Sequence, residues 1–149
     1  MRIRSVWFWI SEEIGMTAGE MPLVLPLALS VVLLLVHVLL QGMLATRELG
    51  RSWNAGPRDE NLRPAGILFG RAERASANFR ETYPAFVALS AGLLATGDPS
   101  GFGLIGAWLW FASRIVYLPL YLGGVPYVRS LVWLASCAGL AMMFTVLVF

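Results

Sequence analysis

No lysine occurs in this chain of 149 residues: all eleven basic residues are arginine, set against nine acidic residues, for a net charge of +2. Histidine and cysteine each occur once, as His37 and Cys137. A lone cysteine excludes an internal disulfide, and one His with one distant Cys cannot build the usual nitrogen–sulfur cluster, so no metal is expected. Glycine-rich phosphate loops, lipase-type serine elbows and HExxH zinc motifs are also absent. Charge is scarce too. Only 13% of residues are charged and 58% are hydrophobic, with a mean hydropathy of +0.70, which describes a membrane protein of one domain. Arginines interleaved with acids on such a chain exclude nucleic acid as an expected partner.

Long apolar runs set the organisation. LVLPLALSVVLLLVHVLLQGML, residues 23–44, can cross a hydrocarbon core of about 30 Å, with Pro26 in its first turns, where a missing amide costs least. The segments at 101–122 and 126–149 are of the same length class. Between them, the uncharged run after Glu81 ends at Thr96, before the turn Gly97-Asp98-Pro99-Ser100. That run is too short for a span of roughly 20 residues. A second helix over about 77–96 must therefore begin inside the charged stretch RAERASANFRETYPAF, residues 71–86. On a helix Arg71, Arg74, Asn78 and Glu81 share one face, a stripe that can turn toward a bundle interior. The expected fold is all-α: an integral membrane four-helix bundle with left-handed up-down connections and spans at about 23–44, 77–96, 101–122 and 126–149. Residues 1–20 form an extension ahead of the 21–149 domain. MRIRSVWFWISEEIG has too short an apolar run for a cleaved signal and reads as an interfacial segment, with Met16 as an alternative start.

Seven of the eleven arginines lie between Arg47 and Arg80, so positive-inside reasoning places loops 45–76 and 123–128 in the cytoplasm. Arg114 lies well inside the third span, where an unpaired charge costs about 2.5–3.5 kcal/mol. In a four-span chain the start of the second helix and the end of the third lie at one membrane face, which makes Glu81 the expected partner of Arg114 in a structural ion pair. His37, Gln41, Glu48 and Arg51 recur at helical spacing on the first helix, His37 reading as a hydrogen-bonded core histidine. Trp110, Arg114, Tyr117 and Tyr121 share a face of the third, and Tyr127, Arg129 and Ser130 open the fourth. Together these residues suggest a cationic, hydroxyl-bearing pocket for a water-borne anion and a lipophilic molecule from the bilayer. Glutathione or a similar small anionic thiol is such an anion: its carboxylates pair with guanidinium forks, and a cation beside the sulfur favours the thiolate.

The stretches RAERASANFRETYP and RIVYLPLYLGGVPYVRSLVW, supported by RDE at 58–60, make the chain from about Thr17 onward resemble the MAPEG family, the membrane-associated proteins in eicosanoid and glutathione metabolism. The resemblance implies a homotrimer of four-helix protomers, with glutathione as co-substrate held between neighbours near the cytoplasmic face. By position it implies that Arg74, Asn78, Glu81 and Tyr121 bind glutathione and that Arg129 with Ser130 stands by the thiol. It pairs Arg114 with Glu81, and it brings Arg47 or Arg51 to the sulfur from an adjacent subunit. Bacterial members are nearest in character, which implies a bacterial inner membrane. The chain departs from the pattern at Ala77, Ser76 and Trp133, where arginine, histidine and tyrosine are frequent. The expected function is a membrane-bound glutathione-dependent transferase or peroxidase acting on lipophilic electrophiles or hydroperoxides. Two other classes stay open: a non-enzymatic lipid-binding or scaffold protein on the same fold, which Ala77 and Trp133 favour, and a small four-helix exporter with Glu81 as coupling residue.

Overall fold

A computed structural model of the chain describes residues 21–98 and 100–149, and its regular structure there is entirely helical. The expectations for residues 1–20, including a start at Met16, and for Pro99 in the turn lie outside the described residues. The elements are α1 (Met21–Leu49), a short α2 (Arg51–Ala55), α3 (Ile67–Thr96), α4 (Phe102–Gly123) and α5 (Tyr127–Val148).

Two helices overrun the expected spans. α1 continues to Leu49, where residue 44 was expected, and α3 begins at Ile67 and not at residue 77. Much of the stretch expected as loop 45–76 is therefore helical. The residues at 67–76 are mostly good helix formers with no proline. The start of α3 is also held from a distance, because the Glu48 carboxylate accepts a hydrogen bond from the Gly66 amide at 2.8 Å. Prolines 57 and 64 keep the intervening segment non-helical, as the sequence indicates.

Among the described residues, three helices are long and apolar enough to cross a membrane: Leu23–Leu49, Phe102–Gly123 and Tyr127–Val148. α3 has 30 residues, about 45 Å of helix, but its first half is charged. Its buried residues, Phe69, Ala72, Ala75, Ser76, Phe79, Phe86, Ser90 and Leu93, fall mostly three, four or seven positions apart and lay one stripe against the bundle. α1 packs chiefly on α3, and α4 pairs most extensively with α5. Trp110 stands at the centre, fully buried and stacked on Phe86 with ring centroids 3.8 Å apart. α4 and α5 touch backbone to backbone: a Cβ added at Gly139 would lie 2.6 Å from the carbonyl oxygen of Gly106. Small residues permit such contact where apolar surroundings give side chains no solvent-driven reason to associate.

Both ends of α4 are fixed by specific hydrogen bonds. At its start, Asp98 accepts the Leu104 amide at 2.7 Å. At its end, Gly124 takes the left-handed conformation, and the amides of Gly124 and Val125 bond to Tyr121 and Leu120, a Schellman closure followed by Pro126. Arg71 of α3 donates to the Leu122 carbonyl at 2.8 Å, adding a cation to that helix C-terminus. The Glu48 and Arg71 contacts gather the end of α1, the start of α3, the end of α4 and the start of α5 at one end of the bundle.

Candidate functional site

At that end Arg114 is buried, 1% exposed. Its Nη1 donates to Asn78 Oδ1 at 2.7 Å and its Nη2 to Thr82 Oγ1 at 2.6 Å. Asn78 and Thr82 lie one turn apart on α3, so a planar guanidinium can meet both acceptors at once. Asn78 in turn donates to Glu81 Oε2 at 3.5 Å. The direct Glu81–Arg114 pair expected from the sequence is thus replaced by a relay through Asn78. The reason is angular: Asn78 and Thr82 point at α4, while Glu81 is exposed at the rim and keeps its carboxylate solvated. The guanidinium also lies near the Trp110 and Tyr117 rings, 5.8 and 5.5 Å from their centroids, which helps a cation with no carboxylate in contact among the described residues. Asn78→Leu and Thr82→Val are each expected to cost about 1–3 kcal/mol, because each leaves a buried guanidinium donor unmet, whereas Glu81→Gln should cost clearly less. Thermal unfolding in detergent checks this, and a Glu81→Gln variant as unstable as Asn78→Leu would restore the direct pair.

A second group continues along α4. Arg114, Tyr117 and Tyr121 occupy one face, with the two tyrosine rings 5.5 Å apart. Across the tight turn, the Arg129 guanidinium lies 4.3 Å over the Tyr121 ring. Two tyrosine rings therefore lie between two cations, in the order Arg114, Tyr117, Tyr121, Arg129. Arg129 is half-buried, and its neighbour Ser130 is exposed, with its hydroxyl 3.5 Å from the Pro126 carbonyl. Arg74 is exposed on α3 one turn before Asn78. Asn78, Glu81, Arg114, Tyr121 and Arg129 are thus linked into one cluster, with Arg74 and Ser130 at its edges. Arg47 and Arg51 are exposed at the end of α1 and the start of α2, and no hydrogen bond among the described residues joins them to it. A separate cavity of about 430 Å³ lies in the 49–62 segment, where Arg58 covers Trp53 at 4.7 Å.

Thr82 has a clear part that the sequence reading did not name, and Tyr117 and Arg71, placed there on their helix faces, have contacts it did not specify. Thr82 sits one turn after Asn78, a signal that was available, and Tyr117 shares the face of Arg114 and Tyr121. The use of Arg71 on a helix end depends on tertiary placement. His37 is buried, 2% exposed, and stacks on Phe79 at 4.7 Å. The hydrogen bond expected for it is not found: neither ring nitrogen has a partner among the described residues. The Trp133 indole N–H is likewise buried and unpartnered.

The model of the MAPEG family matches residues 24–149. No curated protein and no solved structure matches the chain.

Proposed function

The chain belongs to the MAPEG family, and from that membership and the Arg114–Tyr117–Tyr121–Arg129 ladder we propose a membrane-bound glutathione-dependent transferase or peroxidase acting on lipophilic electrophiles or hydroperoxides. The observation that carries this reading is the Arg129 guanidinium over the Tyr121 ring at 4.3 Å, on the same helix face that brings Arg114 to Asn78. Arg74 pairs with a carboxylate of the tripeptide, Glu81 faces its amino group, and Asn78 and Tyr121 complete the hydrogen bonds. Arg129 then faces the sulfur and favours the thiolate, the nucleophilic form, with Ser130 next to it. In conjugation the thiolate forms a carbon–sulfur bond as the leaving group departs with the electron pair. The lipophilic substrate reaches the rim from the bilayer, where membrane lipid surrounds the helices.

In this reading α3 is a fourth span, and its exposed polar face (Arg74, Arg80 and Glu81) is covered by a neighbour, because hydrocarbon cannot satisfy such groups. A homotrimer provides that cover and brings Arg47 or Arg51 of one protomer to the ligand of the next. The connections at 50–66 and 124–126 face the cytoplasm of a bacterial inner membrane. Native mass spectrometry in mild detergent is expected to show a trimer. Monomers or dimers alone would exclude this assembly.

Calorimetric titration with glutathione and S-hexyl glutathione tests the function. Saturable binding of both supports the transferase or peroxidase, and binding of neither shifts the reading to a non-enzymatic lipid-binding or scaffold protein. Two observations favour that second reading: Ala77 supplies no guanidinium before Asn78, and Trp133 presents a buried, unpartnered indole N–H in place of a hydroxyl.

A further inference from the structure

The bundle interior contains unmet hydrogen-bonding groups that the proposed site does not use. His37 Nδ1 and Nε2, Arg114 Nε and Trp110 Nε1 are all buried without a partner among the described residues, in side chains no more than 2% exposed. They belong to one layer. His37 stacks on Phe79, Phe79 lies 5.6 Å from Trp110, and the Arg114 guanidinium lies 5.8 Å from the Trp110 ring. Phe79, on which His37 stacks, directly follows Asn78, which accepts from Arg114 Nη1 at 2.7 Å. Several orphaned groups in one layer are unusual, since buried polar atoms almost always find a partner in protein or in ordered water.

Their chemistry narrows the missing partner. Arg114 Nε and Trp110 Nε1 can only donate, whereas a neutral imidazole donates at one nitrogen and accepts at the other. A halide would satisfy the donors and leave the imidazole lone pair unmet. Lipid and detergent are kept out by the burial, and the helix carbonyls are engaged in the helices. A water molecule accepts from N–H groups and donates to the imidazole, and buried waters typically make about three such bonds. We propose that a water bound inside the bundle bridges the His37 imidazole to the Arg114 Nε–H. His37 thereby ties α1 to the Arg114–Asn78–Glu81 relay, and the tie holds whether or not glutathione binds.

His37 is the sole histidine, so histidine-selective ¹⁵N labelling of the full chain in lipid bilayers yields one imidazole without assignment. Water-edited solid-state NMR is expected to show rapid transfer from bound water to the His37 ring nitrogens. Arg114→Lys keeps the charge and removes the Nε–H. It should abolish most of that transfer and move the shift of the unprotonated ring nitrogen, with helix content unchanged by circular dichroism. A wild-type ring that receives no transfer would overturn the proposal, as would transfer unaffected by Arg114→Lys. Should that variant not fold, a high-resolution density map of the wild type decides: a peak within hydrogen-bond distance of both His37 and Arg114 Nε supports the bridge. Direct contact between the two side chains, or a peak that exchanges for bromide, overturns it.

Discussion

Gly139→Ala is expected to lower the unfolding midpoint of the detergent-solubilised protein sharply, and Gly139→Val to prevent α4 and α5 from docking at all. A Cβ at residue 139 would meet the Gly106 carbonyl oxygen at 2.6 Å, the Trp110 amide nitrogen at 2.8 Å and the Trp110 Cα at 3.2 Å. Every one of these atoms is backbone, so no side chain can rotate out of the way. The helices must separate, and the stack of Trp110 on Phe86 and the packing of fully buried Met143 separate with them. Overpacking of this kind costs about 1–3 kcal/mol for one methyl, and more for a branched side chain. Gly106→Ala should behave alike, since its Cβ would lie 2.6 Å from the Gly139 carbonyl oxygen. Because both variants open one contact, the double variant should cost less than the two single effects together. Gly42 is the control: a Cβ there meets nothing within 4 Å, so Gly42→Ala should be neutral or stabilise α1 by up to about 1 kcal/mol. Equal melting of Gly139→Ala and Gly42→Ala would mean that the two backbones do not touch.

The parts of this structure that were legible in the sequence are those governed by period and length. A run ending at Thr96 was too short to span, so a helix had to start among the charges of residues 71–86, and α3 does run through them. Its start at Ile67 could not be read, because the Gly66 amide is satisfied by Glu48, eighteen positions earlier. Charge and depth paired Arg114 with Glu81, whereas the guanidinium meets Asn78 and Thr82. They did not specify the contact, because a guanidinium chooses acceptors by direction, and Asn78 and Thr82 face α4 while Glu81 does not. The Gly106–Gly139 approach carried no sequence signal, since fifteen glycines are scattered along the chain and only packing distinguishes these two. Arg47 and Arg51 stay unassigned because no hydrogen bond among the described residues joins them to the cluster.

Arg129→Ala is expected to abolish the thiolate absorbance that appears when glutathione is added to the wild type. A free thiol with a pKa of about 8.5 is mostly protonated at neutral pH. Each unit by which a fixed cation lowers that value raises the thiolate fraction by up to roughly tenfold. Arg129 is suited to this part: its guanidinium lies 4.3 Å over the Tyr121 ring, with no carboxylate paired to it among the described residues. Loss of one such fixed electrostatic group should reduce conjugation by about 100-fold or more. Binding of S-hexyl glutathione, which has no thiol to ionise, should weaken far less. Arg74→Ala separates the two roles. It should weaken glutathione and its S-hexyl derivative alike and leave the thiolate signal at saturation intact, because its proposed partner is a carboxylate. Arg129→Lys should fall between the wild type and Arg129→Ala, since it keeps the charge but not the planar stack on Tyr121. Full thiolate absorbance in Arg129→Ala would place the activating cation elsewhere, and Arg47 or Arg51 of an adjoining protomer would then be the group to remove next.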